Sequence, residues 1–158
     1  MIRIIACGKV KKGWMKDGID DYVKRIGPYD RIEIIETADE KAPESNSAAE
    51  NEQVKQIEGE RLLRQIRDDD YVILLDLAGK EFTSEALAQK METLYNTSHN
   101  RIDFVIGGSL GLSPQLIERA DLRWKLSSGT FPHQLCRIIV LEQIYRSFRI
   151  RRNEPYHK

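Results

Sequence analysis

The strongest constraint on this chain is a regular alternation of short, nearly continuous apolar runs with longer segments of helical periodicity. The runs are Ile2–Cys7, Arg31–Glu36, Tyr71–Leu75 and Ile102–Ile106, with a weaker fifth at Leu122–Leu126. The first four are rich in Ile and Val with little polar interruption, the pattern of strands covered on both faces. Strands that alternate with helices predict an α/β fold. Its centre is a mostly parallel sheet of about five strands with helices on both faces.

The intervening segments read as helices. Trp14–Ile26 places Ile19, Tyr22, Val23 and Ile26 on one face before Gly27-Pro28 ends it. Asn51–Arg67 carries Val54, Ile57, Leu62 and Ile66, and Thr83–Asn96 carries Leu87, Met91, Leu94 and Tyr95. Ser113-Pro114 is a capping hydroxyl followed by proline at the first helical position. The last helix, from about Pro132 to Arg149, is apolar around most of its circumference and so needs cover on all sides, from the sheet and from a second copy of itself. Ala38–Ala49 is the one long loop, and it is not a domain boundary because neither side could bury a core alone. Residues 1–158 therefore read as a single domain. A chain of that length buries roughly 70% of its unfolded surface without metal or disulfide staples.

Composition narrows the function classes. Cys7 and Cys136 fall in different elements, which is no disulfide framework and fits a reducing compartment. His99, His133 and His157 lack metal-ligand spacing, so no metal is expected. The apolar start is too short for a signal peptide and carries Arg3, and no window reaches membrane-spanning length. A soluble, cytoplasmic protein is expected. The 25 cations and 25 carboxylates cancel, but unevenly. Lys9, Lys11, Lys12 and Lys16 make the start basic, acidic residues fill the middle, and Arg137, Arg146, Arg149, Arg151, Arg152 and Lys158 make the end basic. Two basic ends suit a polyanion, or are simply solvated surface.

In open parallel sheets, ligands bind beyond the carboxyl ends of the strands. Three loops there are informative. Leu75–Lys80 contains Gly79, which allows either a tight turn or an approach of the backbone near Leu75 to a flat ligand. Ile106-Gly107-Gly108-Ser109-Leu110-Gly111 frees main-chain amides, yet lacks both the Walker ending and the full dinucleotide spacing. Leu126–Gln134 is small and polar, with Pro132 at a helix start and His133 in its first turn, as a ligand group or a structural helix-end histidine. The tail after Arg149 combines cations with Tyr156 and His157, a composition able to stack on a nucleotide and clamp it.

Taken in order, Gly8-Lys9, Arg25–Tyr29, Asp39–Pro43, Glu58-Gly59, Leu75–Lys80, Phe104–Gly111, Thr130–Gln134 and Pro155–Lys158 resemble the SPOUT superfamily of knotted methyltransferases. Within it, the chain is most similar over its whole length to the bacterial family that methylates N3 of a pseudouridine in helix 69 of large-subunit ribosomal RNA. The resemblance implies a deep C-terminal trefoil knot, which periodicity alone does not reveal and which is rare in general. It also implies S-adenosylmethionine as cofactor, held by Leu75, Gly108, Leu126, Ser127, Ser128, Gly129, Thr130 and Phe131. The buried last helix would form a homodimer interface, and the tail of one subunit would complete its partner's site. Gly129 departs from the family pattern, which has a bulkier aliphatic residue there.

The reaction needs an acceptor nitrogen held in line with the methyl group. Positioning alone accounts for ~7–11 kcal/mol of such a barrier, and a base near the acceptor typically contributes ~10²–10⁴-fold. His133, Glu142, Tyr156 and His157 are the candidate bases, and Arg146, Arg149, Arg151 and Arg152 the candidate phosphate ligands. Two other classes fit parts of the pattern. One is an RNA-binding protein without catalysis, against which the glycine and Thr-Phe-Pro-His loops argue. The other is a flavodoxin-like or Rossmann-type regulator, against which the incomplete glycine spacing argues.

Overall fold

The computed structural model describes residues 1–45, 47–97, 99 and 101–158. Five strands, β1 (Ile2–Cys7), β2 (Ile32–Thr37), β3 (Tyr71–Glu81), β4 (Ile102–Ile106) and β5 (Leu122–Lys125), form one sheet in the order β2-β1-β4-β3-β5. Every pairing is parallel, from Ile2 opposite Ile32 through Ile73 opposite Leu122. The helices are α1 (Gly13–Ile26), α2 (Ala48–Leu63), α3 (Ser84–Asn96), α4 (Pro114–Arg119) and α5 (His133–Arg151).

Side chains alternate across the sheet, and each side meets its own helices. Ile2, Ile4, Ala6, Ile73, Phe104 and Ile106 pack with α1, α3 and α5. Ile5, Cys7, Val72, Leu74 and Val105 pack with α2 and α4 through Leu62 and Leu116. This is the two-sided burial that the continuous Ile/Val runs require. In α5, Val140, Leu141, Ile144 and Phe148 are buried against the sheet side, while Leu135, Ile138 and Ile139 are only half-buried in the single chain.

Arg3, the one charge inside the first run, is explained by a buried network at the amino-terminal edge of the sheet. Its guanidinium donates to both oxygens of Asp103 (2.8 and 2.5 Å), to Asp70 (2.8 Å) and to the carbonyl of Gln65 (3.0 Å). Arg101 holds the other oxygen of Asp70 at 2.7 Å.

Two elements, α2 and β3, differ from expectation. α2 starts three residues before Asn51, because Ser47 caps it by accepting from the Glu50 amide at 3.2 Å. It also stops before Arg67, where the chain unwinds and the Arg67 amide donates to Asp70. The tight turn expected at Leu75–Lys80 is instead part of a long β3. Leu75 and Lys80 both register with Trp124, and Asp76–Gly79 bulge out between them. Gly79 makes this possible: a Cβ there would lie 2.5 Å from the Arg123 carbonyl oxygen. Asp76 pairs with Arg123 at 2.6 Å across the same bulge. The consequence is a widened rim beside Leu75.

Among the described residues no helix is long and apolar enough to cross a membrane, and no cluster of side chains could hold a metal ion. Both cysteines are free thiols.

Candidate functional site

The carboxyl ends of β3, β4 and β5 and the start of α5 enclose a cleft of about 630 Å³. All three loops singled out in the sequence line it. Leu75, Gly108, Leu126, Ser127, Gly129, Thr130, Phe131 and His133 form its walls. Ser128 does not; its hydroxyl turns to Glu81 at 3.4 Å. Sequence reasoning missed Asp76, Leu112, Ile117, Trp124 and Cys136, which also line the cleft. Their apolar members look like ordinary core in a sequence, so only the folding of the loops onto one another reveals them.

The glycine loop is built for close approach. Gly111 has φ +106° and its amide donates back to the Gly108 carbonyl at 3.2 Å. Behind Gly108 sits the buried carboxylate of Glu58, whose oxygens lie 2.8 and 2.9 Å from where a Cβ on residue 108 would stand. Glu58 in turn accepts from the Cys7 thiol at 2.7 Å. In the third loop, Ser127 accepts the Gly129 amide at 3.0 Å, a local turn that keeps the main chain compact at the rim.

His133 opens α5 on the cleft wall. The Cβ position of Gly8, which has φ +82°, lies 3.6 Å from both His133 Nε2 and the Asp39 carboxyl carbon. Burial, and then the Arg137 guanidinium, hold the imidazole below its usual pKa, while Glu58 and Asp39 pull the other way. A neutral ring, able to accept a proton, is the favoured state at neutral pH.

The remaining candidates are gathered elsewhere, along the second half of α5 and the tail. Glu142 accepts from Arg146 at 2.9 Å and from the Tyr156 hydroxyl at 3.2 Å. Arg146 lies 4.7 Å from the Tyr156 ring centroid and 3.1 Å from His157 Nδ1, and His157 also meets Glu85 at 2.7 Å. Burial, followed by hydrogen bonding to Tyr22, pushes the Tyr156 phenol up to about 12. Arg149 pairs with Glu154 at 2.5 Å, Arg151 stacks on Tyr95 and Arg152 on Tyr29. Asn153 adopts φ 51° and turns the tail back after α5, a conformation asparagine tolerates.

A parallel α/β domain with its cleft at the strand ends, walled by three loops, glycines and apolar side chains, defines a class: proteins that grip a small organic ligand in loops. Comparison with known proteins makes this specific. A family model described as "Predicted SPOUT methyltransferase" matches residues 1–157. Proteins named ribosomal RNA large subunit methyltransferase H are 50% identical in Desulfitobacterium hafniense (99% of this chain, 98% of that protein) and 52% identical in Alkaliphilus oremlandii (99% of each chain). A solved Legionella pneumophila methyltransferase structure with bound SAM overlays 90% of this chain and 64% of that one, with 13% identity and a TM-score of 0.48. The chain belongs to the SPOUT methyltransferases, in the family named ribosomal RNA large subunit methyltransferase H.

The cleft has the dimensions for S-adenosylmethionine, the cofactor that the sequence resemblance implies. Its volume lies within the ~300–1,000 Å³ usual for ligand sites. Leu75, Leu126 and Phe131 give it apolar walls, and the glycine loop presents main chain with little side-chain bulk.

Proposed function

We propose that this protein methylates large-subunit ribosomal RNA at N3 of a pseudouridine in helix 69, in the cytoplasm and as a homodimer. The observation that carries this reading is the convergence of three separate strand-end loops on one cleft, in a chain half identical to proteins named as large-subunit ribosomal RNA methyltransferases.

In this reading Leu75, Gly108 and Leu126–Phe131 hold the cofactor, with Ser128 serving as a spacer. The C-terminal segment forms the deep trefoil knot of the family. When bound, S-adenosylmethionine supplies an activated methyl group on a sulfonium centre. The work left to the protein is to orient the acceptor, exclude water and take up the N3 proton. His133 takes that proton, being the one candidate base that lines the cleft and being neutral at working pH. Tyr156, held as a phenol, serves as a hydrogen-bond donor and stacking surface. With Glu142 and His157 it completes the site of the partner subunit, where Arg146, Arg149, Arg151 and Arg152 face the RNA backbone. The half-buried Leu135, Ile138 and Ile139 of α5 meet their counterparts in the dimer.

The test is a labelled-methyl transfer assay on ribosomes from a strain lacking this protein, followed by mapping of the modified nucleotide. Label at N3 of a helix 69 pseudouridine is the expected result. Label at another nucleotide, or none, defeats the reading.

A further inference from the structure

The loop that leaves β1 is unused by the function described so far. Lys9, Lys11, Lys12 and Lys16 are exposed, and among the described residues none of them forms an ion pair. The first carboxylate after β1 in the chain is Asp17. Trp14, at the head of α1, is 58% exposed and makes no ring contact among the described residues. This contrasts with the tail, where Arg146 and Arg149 are paired with carboxylates of their own chain.

Position adds a second argument. The exposed large hydrophobics among the described residues are Trp14, Leu77 and Phe131. Leu77 and Phe131 line the cleft, and Trp14 follows β1, whose carboxyl end lies beside that of β4, with Ala6 opposite Ile106. All three therefore sit at one edge of the sheet. They share the side of the sheet on which the cleft opens.

The root of the loop is also rigid. Fully buried Arg137 donates to the Cys7 carbonyl at 2.8 Å, the Gly8 carbonyl at 2.7 Å and Glu36 at 2.6 Å. The Val10 amide donates to the same Glu36 oxygen at 2.8 Å. Glu36, one of the two carboxylates at the lysines' root with Asp39, is thus already engaged. The cations project from a fixed base next to the cleft, since Gly8 abuts His133.

We propose that residues 9–16 form a docking surface for a single-stranded RNA loop, with Trp14 stacking on an unpaired base while the four lysines neutralise adjacent phosphates. Unpaired lysines suit phosphate because no internal ion pair has to be broken first, and an exposed indole offers a stacking face to any base. The surface rests on the reading of this protein as an RNA methyltransferase.

The experiment measures binding to a pseudouridine-containing stem-loop RNA and to unmodified ribosomes across a range of monovalent salt, for the full-length protein. Lys11→Ala/Lys12→Ala should flatten the plot of log affinity against log salt by about 1.4, at ~0.7 per single-strand phosphate contact. Trp14→Ala should weaken RNA binding roughly ten-fold, and Trp14→Tyr should restore most of it, as stacking requires. Fluorescence of Trp14 should be quenched by RNA, whereas Trp124, 3% exposed, stays unaffected. Calorimetric affinity for S-adenosylmethionine and the sedimentation profile should match wild type in every variant.

If the wild type binds RNA and the loop variants bind it equally well with an unchanged salt slope, the surface is overturned while the methyltransferase reading stands. If Trp14→Ala instead breaks the oligomer, and RNA affinity follows only oligomeric state, the face is a self-contact and the proposal fails. A wild type that binds neither RNA nor ribosomes defeats both.

Discussion

Cys7, the last residue of β1, donates its thiol proton to the buried carboxylate of Glu58 on α2, with Sγ 2.7 Å from Oε2. The pair forms the back wall of the glycine loop, since the same carboxylate stands against Gly108. Burial, and then the neighbouring negative charge, hold the thiol well above the usual cysteine range. Cys7 is therefore an inert hydrogen-bond donor rather than a nucleophile. Its task is to satisfy a carboxylate that would otherwise be buried without a partner.

This predicts a particular alkaline instability. A thiol raised in the folded state contributes stability that is fully present below the unfolded value of about 9 and lost as pH climbs above it. Cys136, raised by its own burial, acts in the same window. Urea unfolding between pH 8 and pH 10 should show stability falling by up to ~1.4 kcal/mol per pH unit for each thiol. Cys7→Ala should be less stable at pH 8 yet lose less on going to pH 10. Parallel pH curves for the two proteins would refute the role of the thiol.

Gly108→Ala should damage the cleft through Glu58. The added methyl would stand 2.8–3.1 Å from the carboxylate, too close to coexist with it, so either the loop moves into the cleft or the carboxylate shifts. Affinity for S-adenosylmethionine, measured by calorimetry, should drop at least ten-fold. Adding Glu58→Ala should recover part of that loss by making room, a coupling expected of residues in contact. Strictly additive effects would show that the two positions do not press on each other.

How legible was all this in the sequence? The four Ile/Val runs dictated a two-sided parallel sheet because burial on both faces leaves no polar alternation. The Ser113-Pro114 helix start was equally plain, and Ser113 does cap α4 by accepting from Leu116 at 3.2 Å. The three cleft loops were recognisable because ligands gather at strand ends. What stayed hidden depends on pairs distant in the chain. Gly79 reads as a turn glycine, whereas its real function is to let the β3 main chain approach Arg123 of β5. Glu58 reads as a solvated helix carboxylate until Cys7 and Gly108 are seen on either side of it. The knot was suggested by family resemblance, since no local pattern encodes threading.

The Arg3 network gives a stability prediction at the opposite edge of the sheet. Arg3→Met removes a buried cation and leaves Asp103, fully buried, without its charge partner. Such one-sided removal costs ~3–5 kcal/mol. Replacing both, Arg3→Met with Asp103→Leu, should recover most of that loss, because two apolar groups carry no uncompensated charge; Asp70 keeps its bond to Arg101. Chemical denaturation of the two variants measures this. A double variant no more stable than the single would mean that the network's shape, rather than its charge balance, holds that edge together.

His133 offers a direct link between electrostatics and catalysis. Its pKa is lowered by burial and by Arg137 and supported by Glu58 and Asp39, so protonation should begin only below the ordinary 6.5. A lowered histidine contributes stability above that value and loses it as pH falls through the folded pKa. The same proton would block a base, so the acid limb of methyl transfer should have its midpoint below 6.5. Glu58→Gln removes one supporting carboxylate, and should move both the NMR titration of His133 and the acid limb to still lower pH. His133→Gln should abolish that limb and reduce the methyl-transfer rate by ~10²-fold or more. An acid limb that persists unchanged in His133→Gln would assign the proton to another group, with the tail residues Glu142 and His157 next in line.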